Sequence, residues 1–324
     1  MSGRRPTRLL SAAVVLAGAA VLLAPAFLLS GFHLFQLTMM AVYAVAILGL
    51  SLVTGYTGQV SLGHGAFYAV GAYASAILMT DFAWPYWTTL PVAGAMCAAF
   101  GFAVGFPALR LTGHYLALVT FALAVAVPQI LRAHFAEGWS GGVQGLVIVG
   151  PEAPAGLPLS PDQWTYLFTV AVAAVLFALA RNLLAGRMRY AMVAIRDQPL
   201  AAEAAGIDLA RVKTRAFALS AGCTGIAGAL GAIAVQFVAP DSFSVQLSIA
   251  LFVGLVVGGA ASLPGAVLGA AFVQFVPNLS ELVNKNAPGV VYGVLLVATL
   301  FLMPHGVAGA LRGAVTSRRG RSNR

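Results

Sequence analysis

Long, continuous runs of apolar residues alternate with short polar connections along almost the whole chain. We mark ten apolar segments, at residues 9–30, 34–53, 66–80, 88–109, 114–131, 164–184, 214–238, 245–262, 265–283 and 287–303. A helix of about 20 apolar residues crosses the hydrocarbon core of a bilayer. Because the runs are continuously apolar rather than alternating, they predict helices and not the strands of a barrel. The third and the last segments are short, so the pattern allows nine to eleven spans.

The composition narrows the class of protein. Only 8% of the 324 residues are charged and 60% are hydrophobic, whereas about 25% of residues are charged in soluble domains. Too few polar groups remain to cover a soluble globule, and a disordered chain would be polar. The predicted fold class is therefore an all-α polytopic membrane protein with about ten transmembrane helices.

The basic residues predict the orientation. With a cytoplasmic N-terminus and ten spans, 16 of the 18 Lys and Arg residues fall inside, and only Arg132 and Lys285 fall outside. This bias follows the positive-inside rule and puts both termini in the cytoplasm. The predicted domains are a cytoplasmic arm (1–8), one transmembrane domain (9–303) with an inner loop at 185–213 and an outer loop at 132–163, and a basic cytoplasmic tail (304–324). The first segment also resembles a signal peptide, but its length favours an uncleaved span. The net charge of +9 reflects topology and contact with the lipid bilayer, and no nucleic-acid-binding motif accompanies it.

The apolar segments contain few ionisable side chains. None of the nine acidic residues lies in the middle of an apolar segment, so the chain lacks the intramembrane carboxylates that ion-coupled transporters usually use. Unwound backbone carbonyls could still bind Na⁺. Neither lysine belongs to a P-loop, and the five His are dispersed. The sequence predicts no catalytic site and no metal site in this chain, so any ATP must be hydrolysed by a partner.

The segment 185–213 is the long polar connection that the topology places inside. Asp197 is a candidate N-cap with Pro199 in the first turn, Gly206 suits a left-handed C-cap, and Asp208 can cap the next helix. These signals predict a short helix of about eight residues. One interpretation is a charged connector. The other is a helix that docks in a groove of a partner, through an apolar side formed by Leu200, Ala204 and Ile207.

Three blocks of sequence resemble a known family. Ala202-Glu203-Ala204-Ala205-Gly206 looks like the EAA–Gly coupling motif of bacterial ABC-importer permeases. Its surroundings, together with the blocks at 55–67 and 138–146, resemble the branched-chain amino-acid (LIV-type) permease family, in particular its M-type subunit. The blocks occur in the family's order, and the similarity extends from about residue 35 to 305. Ser140 stands where the family usually has Thr.

The resemblance implies a subunit of a larger complex in the bacterial inner membrane. A homologous H-type permease subunit, two cytoplasmic ATP-binding subunits and an extracytoplasmic amino-acid-binding protein would complete it. The chain itself would need no cofactor, because ATP and Mg would bind to the ATPase subunits. The implied contact with an ATPase subunit is made by the coupling residues Arg196, Asp197, Leu200, Glu203, Ala204, Gly206 and Ile207. Alternatives are a permease for urea or short-chain amides, a secondary transporter and a facilitative channel.

The segment 54–65 contains no charged residue but four glycines. One hypothesis is that it dips into the membrane and exposes backbone groups to a water-filled pathway. The alternative is a tight glycine turn with close helix packing. The candidate pathway residues are Thr57, Gly58, Gln59, Ser61, Gly63 and His64. A weak echo of this segment occurs at 259–265.

Two further features allow more than one interpretation. The longest outer segment, 132–163, is rich in Pro and could be a flexible link or a docking surface, and its Gly-rich part could fold back toward the pathway. GxxxG pairs predict close helix contacts, within the chain or with a partner subunit. They occur at Gly101/Gly105, Gly254/Gly258 and Gly265/Gly269.

Overall fold

The computed structural model describes most of the apolar region of the chain. The described residues are 23–108, 114–154, 158–283, 290, 293–294, 296–298, 301 and 306–310. The predicted arm at 1–8 and most of the first apolar segment lie outside this part of the chain. So do Lys285, much of the last apolar segment and most of the tail.

Helices make up nearly all of the described chain. In order they are α1 (Gly31–Leu50), α2 (His64–Thr80), α3 (Tyr86–Ala108), α4 (His114–Arg132), α5 (Glu137–Ser140), α6 (Pro161–Ala185), α7 (Arg187–Asp197), α8 (Pro199–Ala204), α9 (Leu209–Val235), α10 (Val245–Gly258) and α11 (Leu263–Val283). A π-helical turn, Ser51–Tyr56, continues α1. Two short strands, β1 (Leu146–Val147) and β2 (Phe237–Val238), pair antiparallel.

Five of the described helices are long and apolar enough to cross a membrane: α1 with its π-helical turn, α3, α4, α6 and α9. The helices α10 and α11 are apolar but contain shorter spans, Val245–Gly258 and Leu263–Leu279. The prediction of a helical polytopic membrane protein is confirmed, with one short two-stranded ladder in addition to the helices. The number of spans and the side on which the termini lie stay predictions.

The centre of the bundle is α9, which packs on α1, α2 and α3 through small residues. A side-chain atom on Gly71 of α2 would overlap the backbone of Gly225 in α9. Gly101 of α3 lies on Ala221, and Gly105 lies on Phe217. Without Cβ atoms the helix backbones approach closely, which strengthens packing where no hydrophobic force acts between helices in lipid.

The other two GxxxG pairs face one another between α10 and α11. A Cβ on Gly258 would overlap the carbonyl oxygen of Gly265, and one on Gly269 would overlap that of Gly254. All three glycine pairs therefore make close helix contacts within the chain.

The Gly-rich part of the outer segment folds onto the end of α9. The Ser140 hydroxyl donates to the carbonyl oxygen of Leu131 at 2.8 Å and thereby ties α5 to α4. The strand β1 then pairs with β2 directly after α9, and the Ile148 amide continues the ladder to Gln236 O at 2.9 Å. This part of the outer segment is structured, while the residues 155–157 of its Pro-rich part lie outside the described chain.

Candidate functional site

The polar connection between α6 and α9 folds into two short helices, α7 and α8. They meet at Gln198, whose extended backbone (φ −150°, ψ 84°) is the N-cap of α8, with Pro199 at the first helical position. The residue before a proline is driven out of the helical region, which explains the break. The prediction that Asp197 is the N-cap is therefore wrong, because Asp197 is the last residue of α7. The helix α8 has six residues rather than about eight.

The end of α8 is closed by a Schellman motif. Gly206 has φ +82°, its amide donates to Glu203 O at 2.9 Å, and the Ile207 amide donates to Ala202 O at 3.0 Å. Glycine adopts this left-handed conformation without a Cβ penalty. Asp208 then caps α9 by accepting from the Arg211 amide at 3.0 Å. Both cap predictions, at Gly206 and Asp208, are confirmed.

The helices α7 and α8 each bury part of their surface against the bundle and expose the rest. Met192, Ile195 and Ala202 are buried against the bundle. Leu200 is 81% exposed, and Glu203 and Ala204 are also exposed, whereas Ile207 is half-buried. The outcome is a short capped helix that presents one large apolar side chain and one carboxylate to the surroundings.

The 54–65 segment begins in the π-helical turn and then returns into the bundle. The Thr57 hydroxyl donates to Val53 O at 2.6 Å, and that of Thr54 donates to Gln59 O at 3.0 Å. Gly58 has φ +73° and reverses the chain direction. Thr57, Gln59 and Ser61 are buried, while Gly58 and Val60 are exposed.

His64 lies at the first residue of α2 within a buried hydrogen-bond relay. Its Nδ1 is 3.0 Å from the Ser61 hydroxyl, and its Nε2 is 2.6 Å from the Ser220 hydroxyl. The Ser220 hydroxyl also contacts the Gly49 carbonyl oxygen at 2.6 Å, and a carbonyl only accepts, so Ser220 must donate to it. Nε2 of His64 then carries the proton, and its Nδ1 accepts from Ser61. A neutral ring satisfies every member of the relay without burying a charge.

The relay also shows how far the segment enters the bundle. Ser220 lies eleven residues after Leu209, where α9 begins, a rise of about 16 Å along a helix. Gly49 lies seven residues before the end of the π-helical turn at Tyr56, about 10 Å along α1. His64, bonded to Ser220, therefore starts α2 well inside the bundle. This explains why α2 has only 17 residues.

The 54–65 segment packs closely between the α10–α11 connection and α4. A side-chain atom on Gly55 would overlap the carbonyl oxygen of Ala260 in the α10–α11 connection, and one on Gly63 would lie 2.8 Å from Thr120 O. The contact with Ala260 brings the predicted echo at 259–265 against the segment that it resembles. In the echo, Gly259 has φ +111° as Gly58 has φ +73°.

Arg196 connects the coupling residues to the candidate pathway residues. Its Nη1 donates to the Gly55 carbonyl oxygen at 3.1 Å, and its Nε donates to Asp197 at 2.9 Å. Its aliphatic stem covers Gly58, where a Cβ would come within 2.7 Å of Arg196 Cγ. Two groups that the sequence singled out separately thus meet at one side chain. The sequence contains no signal for this contact, which joins residues 141 positions apart.

The arrangement joins the short helices α7 and α8 to the 54–65 segment through a hydrogen bond and close packing. Within the described residues, no three His, Cys, Asp or Glu side chains are grouped so that they could hold a metal ion. A helical bundle with several apolar helices of membrane length defines a polytopic membrane protein. The family described as "Branched-chain amino acid transport system / permease component" matches residues 32–300, and the chain belongs to that family.

Individual relatives agree with the family match. The high-affinity branched-chain amino acid transport system permease protein LivM of Escherichia coli K12 is 32% identical over 293 residues, which cover 83% of this chain and 68% of LivM. The permease protein LivH of Salmonella typhimurium is 24% identical over 295 residues, which cover 84% of this chain and 92% of LivH. No solved structure matches the chain.

Proposed function

We propose that this chain is the M-type transmembrane subunit of an ABC importer for branched-chain amino acids. The proposal is supported by the family match and by the higher identity to LivM (32%) than to LivH (24%). Since the relatives include both permease types, we propose that a homologous H-type subunit forms the translocation pathway together with this chain. An extracytoplasmic amino-acid-binding protein delivers the substrate to the pair.

We further propose the orientation that the basic residues predict, in a bacterial inner membrane. Seven of the eight described basic residues lie between 181 and 215, at the end of the bundle that carries α7 and α8. The positive-inside rule makes this end cytoplasmic. It is then the end at which a cytoplasmic ATPase subunit can bind.

The observation that carries the proposal is the exposed, capped helix α8. Leu200 is 81% exposed on a six-residue helix that begins at Pro199 and is closed by the Gly206 cap, and an apolar side chain presented in this way suits a groove on an ATPase subunit. ATP and Mg bind to that subunit, so this chain supplies the mechanical part of the cycle. The contact of Arg196 with Gly55 carries the movement of α8 into the bundle.

We keep the 54–65 segment as the candidate wall of the pathway. The segment returns into the bundle with four glycines and no charged residue of its own. Gly58 and Val60 are exposed, and we propose that their backbone faces the pathway or a partner subunit. Thr57, Gln59, Ser61 and His64 are buried behind it and hold its shape.

Reconstitution of the complete complex in proteoliposomes tests the proposal. We expect uptake of radiolabelled leucine that requires ATP, both permeases, the ATPase subunits and the binding protein. Urea and acetamide serve as competing substrates, and uptake of these in place of leucine would reassign the substrate. Leucine transport by the two permeases without ATPase subunits would contradict the importer mechanism.

A surface variant tests the docking of α8. We expect Leu200→Ser to lower ATP-dependent leucine uptake and to weaken co-purification of the ATPase subunits by about tenfold, because interface anchors of this kind contribute roughly 1–2 kcal/mol. The control for co-purification of the ATPase subunits is Val149→Ser, which removes an apolar side chain that is 84% exposed at the opposite end of the bundle. Normal co-purification and uptake with Leu200→Ser would show that α8 is a bare connector.

A further inference from the structure

A cavity opens between the last turns of α4 and the start of α10, at the end of the bundle opposite to α8. Its volume is about 310 Å³, near the lower end of the range for small-molecule sites. Its apolar lining includes Ala124, Val125, Pro128 and Val245. Its charged lining groups are the Arg132 guanidinium and the Asp241 carboxylate, and its neutral polar lining residues are Gln129, Ser244 and Gln246.

The two charged groups form an ion pair with each other and are also partly open to the cavity. Arg132 contacts Asp241, and their side chains are 38% and 63% exposed. Of the basic side chains in the described chain, Arg132 alone lies at this end, since the other seven fall between 181 and 215. An anionic group that arrives at this end therefore meets a single guanidinium.

A proline in α4 adds a third polar group to the same cavity. Pro128 lies inside α4 and has no amide hydrogen, so the carbonyl of Ala124, four residues earlier, lacks its helical donor. Ala124 itself lines the cavity. A carbonyl oxygen without its usual helical donor thus belongs to a residue that lines the cavity, about two turns before Arg132.

We propose that this cavity is a binding site for the transported amino acid at the outer mouth of the pathway. The α-carboxylate pairs with Arg132, the α-ammonium group pairs with Asp241 and the Ala124 carbonyl, and the aliphatic side chain lies on Val125 and Val245. Guanidinium and carboxylate groups bind in a bidentate, charge-assisted geometry, which makes Arg132 selective for a carboxylate. The inference rests on the proposed function and deepens it.

The ion pair suits a site that is filled and emptied in each cycle. When the cavity is empty, Arg132 and Asp241 neutralise each other, so neither charge is left unpaired. When a zwitterion enters, each charge exchanges one partner for another and the net charge stays zero. A neutral amide or urea has no carboxylate for Arg132 and cannot replace the pair, so the site favours amino acids over these solutes.

The test uses the complete complex in proteoliposomes with saturating binding protein and radiolabelled leucine. For Arg132→Gln we expect the maximal rate of leucine uptake to fall at least tenfold. The binding-protein concentration that gives half-maximal ATPase stimulation should stay within twofold of wild type. The matched control is the exchanged pair Arg132→Asp with Asp241→Arg, which keeps an ion pair and the fold but moves both charges. We expect its uptake to remain low.

The outcomes separate the alternatives. Full recovery of uptake in the exchanged pair would show that the ion pair is only structural and would overturn the site. A large shift in the half-maximal binding-protein concentration would instead assign Arg132 to docking of that protein and would also overturn it. If the wild-type complex takes up no leucine, the proposed function fails. If it does and Arg132→Gln is equally active, only the site fails.

Discussion

Replacement of Arg196 by Gln removes a side chain that reaches from the polar segment 185–213 to the 54–65 segment. The substitution deletes the hydrogen bond from Nη1 to Gly55 O at 3.1 Å and the stem that covers Gly58. The helices α7 and α8 themselves should remain, because their buried anchors, Met192 and Ala202, are untouched. The change therefore addresses transmission rather than folding.

The size of the effect follows from the environment of the guanidinium. A hydrogen bond that involves a charged group contributes about 1.5–3 kcal/mol when it is shielded from water. The Arg196 side chain is 35% exposed, so solvent screening places the value near the lower limit, at roughly 1–1.5 kcal/mol. A coupling free energy of this size corresponds to about a five- to tenfold change in an equilibrium. We expect the number of leucine molecules transported per ATP hydrolysed to fall by this factor.

The assay measures leucine uptake and ATP hydrolysis in the same proteoliposomes. The control is Arg189→Gln, which removes the same charge from an exposed position two turns earlier on α7. Its ratio of uptake to hydrolysis should stay within about twofold of wild type. Arg196→Lys should lie between the two, because it keeps the charge and the stem but loses the planar group.

Two results would refute the reasoning. An unchanged ratio in Arg196→Gln would show that the contact with Gly55 transmits nothing. An equal loss in Arg196→Gln and Arg189→Gln would show that only the net charge of α7 matters, through attraction to anionic lipid or to the ATPase subunit.

Three further predictions concern stability, each measured as thermal unfolding of the purified complex in detergent. Ser220→Ala should lower the free energy of unfolding by about 1 kcal/mol, because the ring N–H of His64 and the carbonyl oxygen of Gly49 lose their partner. Ser220→Thr keeps a hydroxyl and should restore most of this stability. An equal loss of stability in both variants would contradict the relay. Gly269→Ala should destabilise by roughly 1–3 kcal/mol through overlap with the backbone of α10, whereas Gly138→Ala, with no atom within 4 Å of the new Cβ, should be neutral or stabilising by up to about 1 kcal/mol. Gly206→Ala should lower the free energy of unfolding by about 1 kcal/mol. Gly206→Asn should lower it less, since Asn tolerates φ +82° better than Ala does.

Local chemistry made part of this structure predictable. The caps at Gly206 and Asp208 follow from preferences of single residues for backbone conformations that neighbouring atoms impose. The apolar segments predict the long helices to within a few residues for a different reason, because a continuous apolar run of this length must satisfy its backbone hydrogen bonds within itself in lipid. The wrong N-cap at Asp197 shows the limit, because the segment 187–197 continues as a helix and only the proline at 199 ends it.

The long-range contacts of the site could not be predicted in this way. Arg196 and Gly55 are 141 positions apart, and His64 and Ser220 are 156 apart. Each pairing depends on where three or four helices place their backbones, and many arrangements bury the same apolar faces equally well. The π-helical turn at the end of α1 is a further case, since its residues, Ser51–Tyr56, differ little from those of an ordinary helix end.

The 54–65 segment is bonded to both walls of the cavity at the other end of the bundle. The Leu62 amide donates to the Thr120 hydroxyl on α4 at 3.0 Å, and the Gly65 amide donates to the Ser248 hydroxyl on α10 at 2.9 Å. The cavity lies between these same two helices, beyond Thr120 on α4 and at the start of α10. Arg196, near the end of α7, donates to Gly55 in the first part of the segment. Under the proposed function, a displacement of α7 and α8 would enter the segment through this hydrogen bond and would reach α4 and α10 through the bonds of Leu62 and Gly65. The close glycine contact between α2 and α9 leaves little room for these helices to absorb the displacement, which would then move the cavity walls relative to each other.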